Sequence, residues 1–211
     1  FKKQQNNEPI VDYINANFTR SIYGSIHMFK EDRPALEAVY NNMVRLYPNE
    51  MMTRFYEFSD KSSQRKIFEK QLQIAFDYKK NIVIHSRAAE LDAYDMLKGI
   101  SDLNIMVHCF TGPNEILEKF CAMNNVFITI GGMITFKKNR QFIDYLEIIP
   151  MNKLLIESDA PYLAPVPMRG NQNKPEYVLY TYQKICEQKN LEFFQFEKLI
   201  SNNFRDWLKK T

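Results

Sequence analysis

The chain is short of cysteine, histidine and long apolar runs, and each shortage excludes something. Cys109, Cys121 and Cys186 are odd in number and none stands in Cys-x-x-Cys spacing. That rules out a closed disulfide framework and reads as free thiols in a reducing compartment. The longest apolar stretch, residues 126–136, is broken by two glycines and two threonines. A membrane-spanning helix needs about 20 apolar residues, so no span is expected. The first twenty residues are polar and lack the apolar centre of a secretory signal. The expectation is a cytoplasmic or nuclear protein with no membrane partner and no obligate protein partner. The net charge of +3 is too small to argue for nucleic acid by itself. There is no internal repeat and no low-complexity segment.

What is present is ordinary for a soluble domain. With 211 residues, 45% hydrophobic and 25% charged, the chain can bury one sizeable core, and a single domain over 1–211 is expected. Residues 10–18 read as a strand leading into a loop. Residues 34–46 read as a helix opened by Pro34, with Leu36, Val39, Tyr40 and Met43 on one face. Beyond residue 64 the pattern alternates. Helices are expected over 64–78, 91–99, 113–123 and 139–148, with strands over 81–85, 104–109, 126–130 and 153–157. An irregular proline-rich loop follows, then helices over 176–188 and 195–209. Alternating helix and strand is the signature of parallel βα units, which collect ligands at their strand C-termini.

Three apolar strands end on groups that can do chemistry. Ile82-Val83-Ile84 runs into His85, Ile105-Met106-Val107 into His108, and Leu154-Leu155-Ile156 into Glu157-Ser158-Asp159. Two imidazoles and a carboxylate at strand ends suit a metal site on the strand-end face of an α/β barrel, and metal-assisted hydrolysis. Each alone has a plainer explanation: a satisfied core histidine for His85 or His108, a helix N-cap for Asp159. Together they weigh more, because only three histidines occur and two end strands in the same context. The third, His27, reads as loop. Arg87, two residues past His85, can reach a phosphate. The polar loop 168–175, with Arg169, Asn173 and Lys174, can cover the site and contact phosphates, or be an ordinary surface loop. Glu157 reads equally well as a supporting group or as a solvated one. Phe193, Phe194, Phe196 and Trp207 read as packing for the terminal helices.

Taken in order, Ile84-His85-Ser86-Arg87, His108-Cys109-Phe110-Thr111-Gly112, Glu157-Ser158-Asp159-Ala160-Pro161-Tyr162-Leu163 and Arg169-Gly170-Asn171-Gln172-Asn173-Lys174-Pro175 resemble the TatD-related deoxyribonucleases. Ser201-Asn202-Asn203-Phe204 is similar to that family's closing helix. The resemblance covers residues 54–211. It implies a TIM (β/α) barrel of the metal-dependent hydrolase type, acting on DNA with a bound divalent metal. That metal is typically Mg²⁺, although two imidazoles also suit Mn²⁺ or Zn²⁺. By the resemblance His85, His108 and Asp159 are metal ligands, with Asp159 also catalytic. Asn17, Arg87, Arg169, Asn173 and Lys174 are the expected substrate contacts.

Three departures mark this chain. The family commonly opens with a His-x-His strand. Here residues 12–19 carry Asn17 instead, which is similar to the eukaryotic branch. A carboxylate of the family's loop motif is replaced by Lys174. The second to fourth barrel strands, with a glutamate ligand, have no counterpart near residues 50/51, and Glu50 is a poor substitute for that glutamate. The barrel is therefore incomplete as written. Two rivals stand beside a nuclease: a small-molecule amidohydrolase on the same scaffold, and a catalytically degenerate relative that only binds nucleic acid.

Overall fold

A computed structural model of the chain describes Ile26–His27 and residues 60–209. The expected strand at 10–18, the helix at 34–46, Asn17 and the 50/51 junction lie outside the described residues. The chain divides into two compact units, Phe1–Ile105 with Lys210–Thr211, and Met106–Lys209.

In the first unit, strand β1 (Ile26–His27) pairs antiparallel with β2 (Ile82–His85), Ile26 opposite Ile84 and His27 opposite Val83. His27 is therefore in a strand, where the sequence reads as loop. Helix α1 spans Lys61–Asp77 and starts three residues before the sequence expectation. Asp60 explains the difference. Its carboxylate accepts the Ser63 N–H at 3.0 Å and the Ser63 hydroxyl at 2.7 Å, an N-cap that satisfies donors the first turn leaves open. The inward face carries Ile67, Phe68, Leu72, Ile74 and Ala75, all buried. Helix α2 (Glu90–Leu97) follows β2 and buries Ala93 and Leu97.

The second unit carries the alternating pattern. Strand β3 (Ile105–His108), whose first residue closes the first unit, is followed by α3 (Asn114–Ala122), β4 (Val126–Ile130), α4 (Gln141–Ile148) and β5 (Leu154–Ile156). The strands β3, β4 and β5 are neighbours in that order, and β4 and β5 are parallel, with Ile128 opposite Leu154 and Ile130 opposite Ile156. All five residues of β4 are buried, as expected of a parallel strand covered on both faces. Phe110, Phe120, Phe142 and Tyr145 fill the space beneath helices α3 and α4, with rings edge-to-face at 5.2–6.2 Å. Lys153 closes α3 from outside. Its ammonium donates to the carbonyls of Cys121 (2.8 Å) and Met123 (2.5 Å), at the end of a helix where cations are favoured.

Two helices complete this unit, α5 (Val178–Lys189) and α6 (Phe193–Leu208). Phe196 and Trp207 are buried as expected, but Phe194 is 76% exposed and Phe193 only half covered, lying over the Tyr182 ring at 4.5 Å. The packing role expected of all four aromatics holds for Phe196 and Trp207 and fails for Phe194. Among the described residues no helix is long and apolar enough to cross a membrane.

The side chain of Asn203 ties α6 to the sheet. Its buried amide donates to the carbonyls of Met151 (2.7 Å) and Leu154 (2.8 Å), fixing the entry to β5. Replacing it leaves two carbonyls without that donor. Asn203→Ala is expected to lower stability by about 1–3 kcal/mol, read as a shift of the urea midpoint at unchanged slope. An unchanged midpoint would remove Asn203 from the framework of the fold.

Candidate active site

The ends of β3, β4 and β5 meet around one carboxylate. Glu157, just past β5, accepts through Oε2 from the Thr129 hydroxyl of β4 at 2.5 Å, and the same oxygen meets Nδ1 of His108. Thr129 Oγ1 in turn accepts the Cys109 N–H at 2.9 Å. Cys109 sits at φ 47°, a left-handed conformation costly for a residue with a β-carbon. That turn of the backbone points the Cys109 N–H at Thr129 and leaves His108 as the last residue of the strand. The second ring nitrogen, Nε2, lies 3.4 Å from Oδ1 of Asp159. His108 therefore stands between two carboxylates, one on each nitrogen.

The loop carrying Asp159 is held from several sides. Asp159 has φ 55°, a region aspartate tolerates better than most residues. Its carbonyl accepts the Tyr162 N–H at 2.9 Å. Asn173, 3% exposed, donates both amide hydrogens inward, to the carbonyls of Ser158 and Tyr162, each at 2.6 Å. Asn173, expected as a substrate contact, clamps the loop that carries Asp159 with both amide hydrogens. Beneath the loop, Gly132 passes so close that a β-carbon there would lie 2.6 Å from the Leu163 carbonyl oxygen. Glycine at 132 is thus required by the approach of the two backbones.

The electrostatics follow from this arrangement. Burial alone would push the His108 imidazole down. The Glu157 charge, the hydrogen bonds the ring donates to Asp159 and Glu157 and the Asp159 charge outweigh it, and the pKa is pushed up to about 10. Without metal the ring is an imidazolium clasped by two carboxylates.

The residues fit a metal in part. Two donors bound to one ion at about 2.0–2.2 Å stand about 3–3.5 Å apart, and His108 Nε2 and Asp159 Oδ1 are separated by 3.4 Å. The opposite nitrogen is anchored on Glu157, the usual outer partner of a metal-bound imidazole. Glu157 Oε1 is buried and meets no hydrogen-bond partner among the described residues. Among the described residues this pair is not part of a gathered group of three or more His, Cys, Asp or Glu side chains. Glu157 is not a third donor to this pair, because it faces the nitrogen of His108 that points away from Asp159.

The remaining candidates are placed as follows. His85 ends β2 in the first unit and is partly buried. Arg87 beyond it is exposed, and the turn between β2 and α2 is closed by the Ala88 N–H donating to Glu90 at 3.2 Å. Arg169 is exposed with its guanidinium 4.1 Å from the centre of the Phe136 ring. Lys174 is exposed and 3.9 Å from Glu176. Two site residues went unassigned in the sequence, Thr129 and the supporting role of Glu157. The one signal for Thr129 is a lone hydroxyl in an otherwise apolar buried strand.

The His108 shift has a consequence for stability. With chelator present, the folded state holds the His108 proton more tightly than the unfolded chain, whose imidazole titrates near 6.5. The stabilisation is full below that value, falls as pH rises, and is gone above about 10. The stability difference between wild type and Glu157→Gln is expected to shrink between about pH 6 and about pH 10 in urea titrations. A difference that grew with pH would contradict the clasped imidazolium.

Comparison with known proteins bears on this arrangement. The family model described as TatD related DNase matches residues 53–209. The uncharacterized metal-dependent hydrolase YabD of Bacillus subtilis is 34% identical over 150 residues, covering 70% of this chain and 58% of that protein. The uncharacterized metal-dependent hydrolase YcfH of Escherichia coli K12 is 30% identical over 152 residues, covering 71% and 57%. The chain spans a little over half the length of these curated relatives. Among solved structures, YJJV, a TatD homologue from Escherichia coli K12, superposes with a TM-score of 0.66 at 22% identity, over 85% of this chain and 71% of that one. A TatD-family hydrolase from Entamoeba histolytica gives 0.64 at 18% identity, over 74% and 60%. The fold class is α/β, the TIM-barrel type of the metal-dependent hydrolases. With its family model matched over residues 53–209, this chain belongs to the TatD-related DNase family.

Proposed function

We propose that this chain supplies the catalytic strands of a divalent-metal-dependent deoxyribonuclease that hydrolyses DNA phosphodiester bonds with little sequence specificity. The observation that carries the reading is His108 held by Glu157 on one nitrogen and facing Asp159 at 3.4 Å with the other. His108 Nε2 and Asp159 Oδ1 would hold the ion, with His85 as the further ligand the family pattern supplies. Mg²⁺ is the expected metal, with Mn²⁺ or Zn²⁺ as alternatives. When bound, the ion supplies Lewis-acid polarisation of a phosphoryl oxygen.

The chain's own residues do the rest. Glu157 and Thr129 fix the His108 ring, so that Nε2 presents its lone pair once its proton is gone. The Asp159 carboxylate accepts a proton from the attacking water as the water oxygen bonds to phosphorus and the phosphorus–oxygen bond to the leaving sugar breaks, the sugar oxygen taking its proton from solvent. Arg87 and Arg169 bind the phosphodiester backbone. Lys174 is a weaker candidate, since Glu176 competes for its charge. Asn17 takes the place of the family's first-strand histidines, as in the eukaryotic branch, and the second to fourth barrel strands belong at the 50/51 junction. A cytoplasmic or nuclear location accords with this role. That its relatives in Bacillus subtilis and Escherichia coli are named metal-dependent hydrolases supports metal-dependent hydrolysis here.

The test is cleavage of end-labelled DNA with Mg²⁺. Activity is expected to vanish with EDTA and to fall by about 10²–10⁴-fold in Asp159→Asn. Full activity of that variant would sink the assignment. Turnover of an amide or lactone, with none of DNA, would favour the amidohydrolase reading instead.

A further inference from the structure

Two loops of the second unit carry an unusual distribution of charge. Residues 131–143 and 163–175 contain no aspartate or glutamate, and they carry Lys137, Lys138, Arg140, Arg169 and Lys174. All five cations are exposed. Lys174 stands near Glu176 at 3.9 Å. The other four form no ion pair among the described residues, whereas Lys98, Lys189 and Lys209 each meet a carboxylate at 2.6–3.0 Å. Gathering like charges without partners costs free energy through mutual repulsion. A polyanion would offset that cost.

The two loops are built as one surface. The Val166 N–H donates to Thr135 Oγ1 at 2.8 Å, and Gly132 lies against the Leu163 carbonyl. Arg169 stacks its guanidinium over Phe136, 4.1 Å from the ring centre, and Phe136 immediately precedes Lys137. Stacking restrains the guanidinium plane while its N–H edge stays available to a phosphate. The first loop is stiffened by successive turns. The Thr135 hydroxyl donates to the Gly132 carbonyl at 2.7 Å, and the Phe136 and Asn139 N–H groups donate to Met133 (3.1 Å) and Phe136 (2.9 Å). The cations therefore project from an ordered base and less conformational entropy is lost when a ligand binds. The second loop continues directly from the segment that holds Asp159.

We propose that Lys137, Lys138, Arg140 and the Phe136-stacked Arg169 form a docking surface for the phosphodiester backbone of a nucleic-acid strand outside the reacting centre. This rests on the nuclease reading above and extends it. Contacts here grip non-reacting phosphates, and that binding energy is available for holding the scissile bond at Asp159. The surface reads charge and spacing and carries no base-specific contact.

The test uses the whole chain in EDTA, with a fluorescently labelled single-stranded oligonucleotide titrated at several salt concentrations from about 50 to 200 mM. The Lys137→Gln/Lys138→Gln double variant is expected to reduce the slope of log affinity against log salt by about 1.4, and Arg169→Gln by about 0.7. The control is Lys66→Gln/Lys70→Gln, which removes the same charge from exposed positions of α1 and is expected to leave the slope near wild type. Circular dichroism checks that each variant is folded. Equal loss in control and surface variants, or no loss in either, overturns the proposal. Metal-dependent DNA cleavage by wild type, with binding insensitive to the surface variants, would refute the surface and leave the nuclease reading standing. Surface-dependent binding without cleavage would do the reverse.

Discussion

Oxygen Oε2 of Glu157 receives the Thr129 hydroxyl at 2.5 Å and meets the imidazole of His108, and with those two contacts it joins the ends of three neighbouring strands. Bonds to a charged group of this kind each contribute about 1.5–3 kcal/mol, and they are partly shielded from water here. They do more than hold the sheet together. They decide which nitrogen of His108 is anchored and which is presented, and so they set the direction in which the site faces. Thr129 contributes twice, because it also receives the backbone N–H of Cys109 and so stabilises the left-handed turn that ends β3.

Asp159 depends on a separate set of restraints. Its backbone conformation is one that few residues accept readily, and it is kept there by the Tyr162 turn and by both amide hydrogens of Asn173. Gly132 allows the chain leaving β4 to pass directly beneath this loop. The site thus combines a group fixed through side chains, His108, with one fixed through backbone, Asp159. Their 3.4 Å separation is the joint product.

Much of this was readable in the residues and some was not. The runs Ile105-Met106-Val107 and Leu154-Leu155-Ile156 marked buried strands, and the polar residues ending them stood out by contrast. Helix ends moved by a few residues where a cap decided them, as Asp60 did for α1. Thr129 escaped notice because threonine is also a good strand former, so its hydroxyl in Val126-Phe127-Ile128-Thr129-Ile130 carried no visible message. Glu157 was left open because one residue's shift in where a strand ends turns a side chain to the other face. The clamping role of Asn173 was not legible, because a sequence shows that an amide is polar and does not show which way it points. His27 was read as loop because two paired residues are too short to leave a periodicity. The exposure of Phe194 was hidden for a related reason: three phenylalanines within four positions cannot all face one side of a helix.

The reach of Asn203 to the carbonyls of Met151 and Leu154 also has a meaning in time. A chain leaves the ribosome from its N-terminus. Helix α3 and strand β4 can pack as soon as they emerge, while the entry to β5 waits for a partner some fifty residues further on. The strand that delivers Glu157 and Asp159 can pair with β4 earlier, but it gains this second anchor only when α6 has been synthesised. The entry to β5 is thus the part of this sheet whose side-chain anchor arrives last.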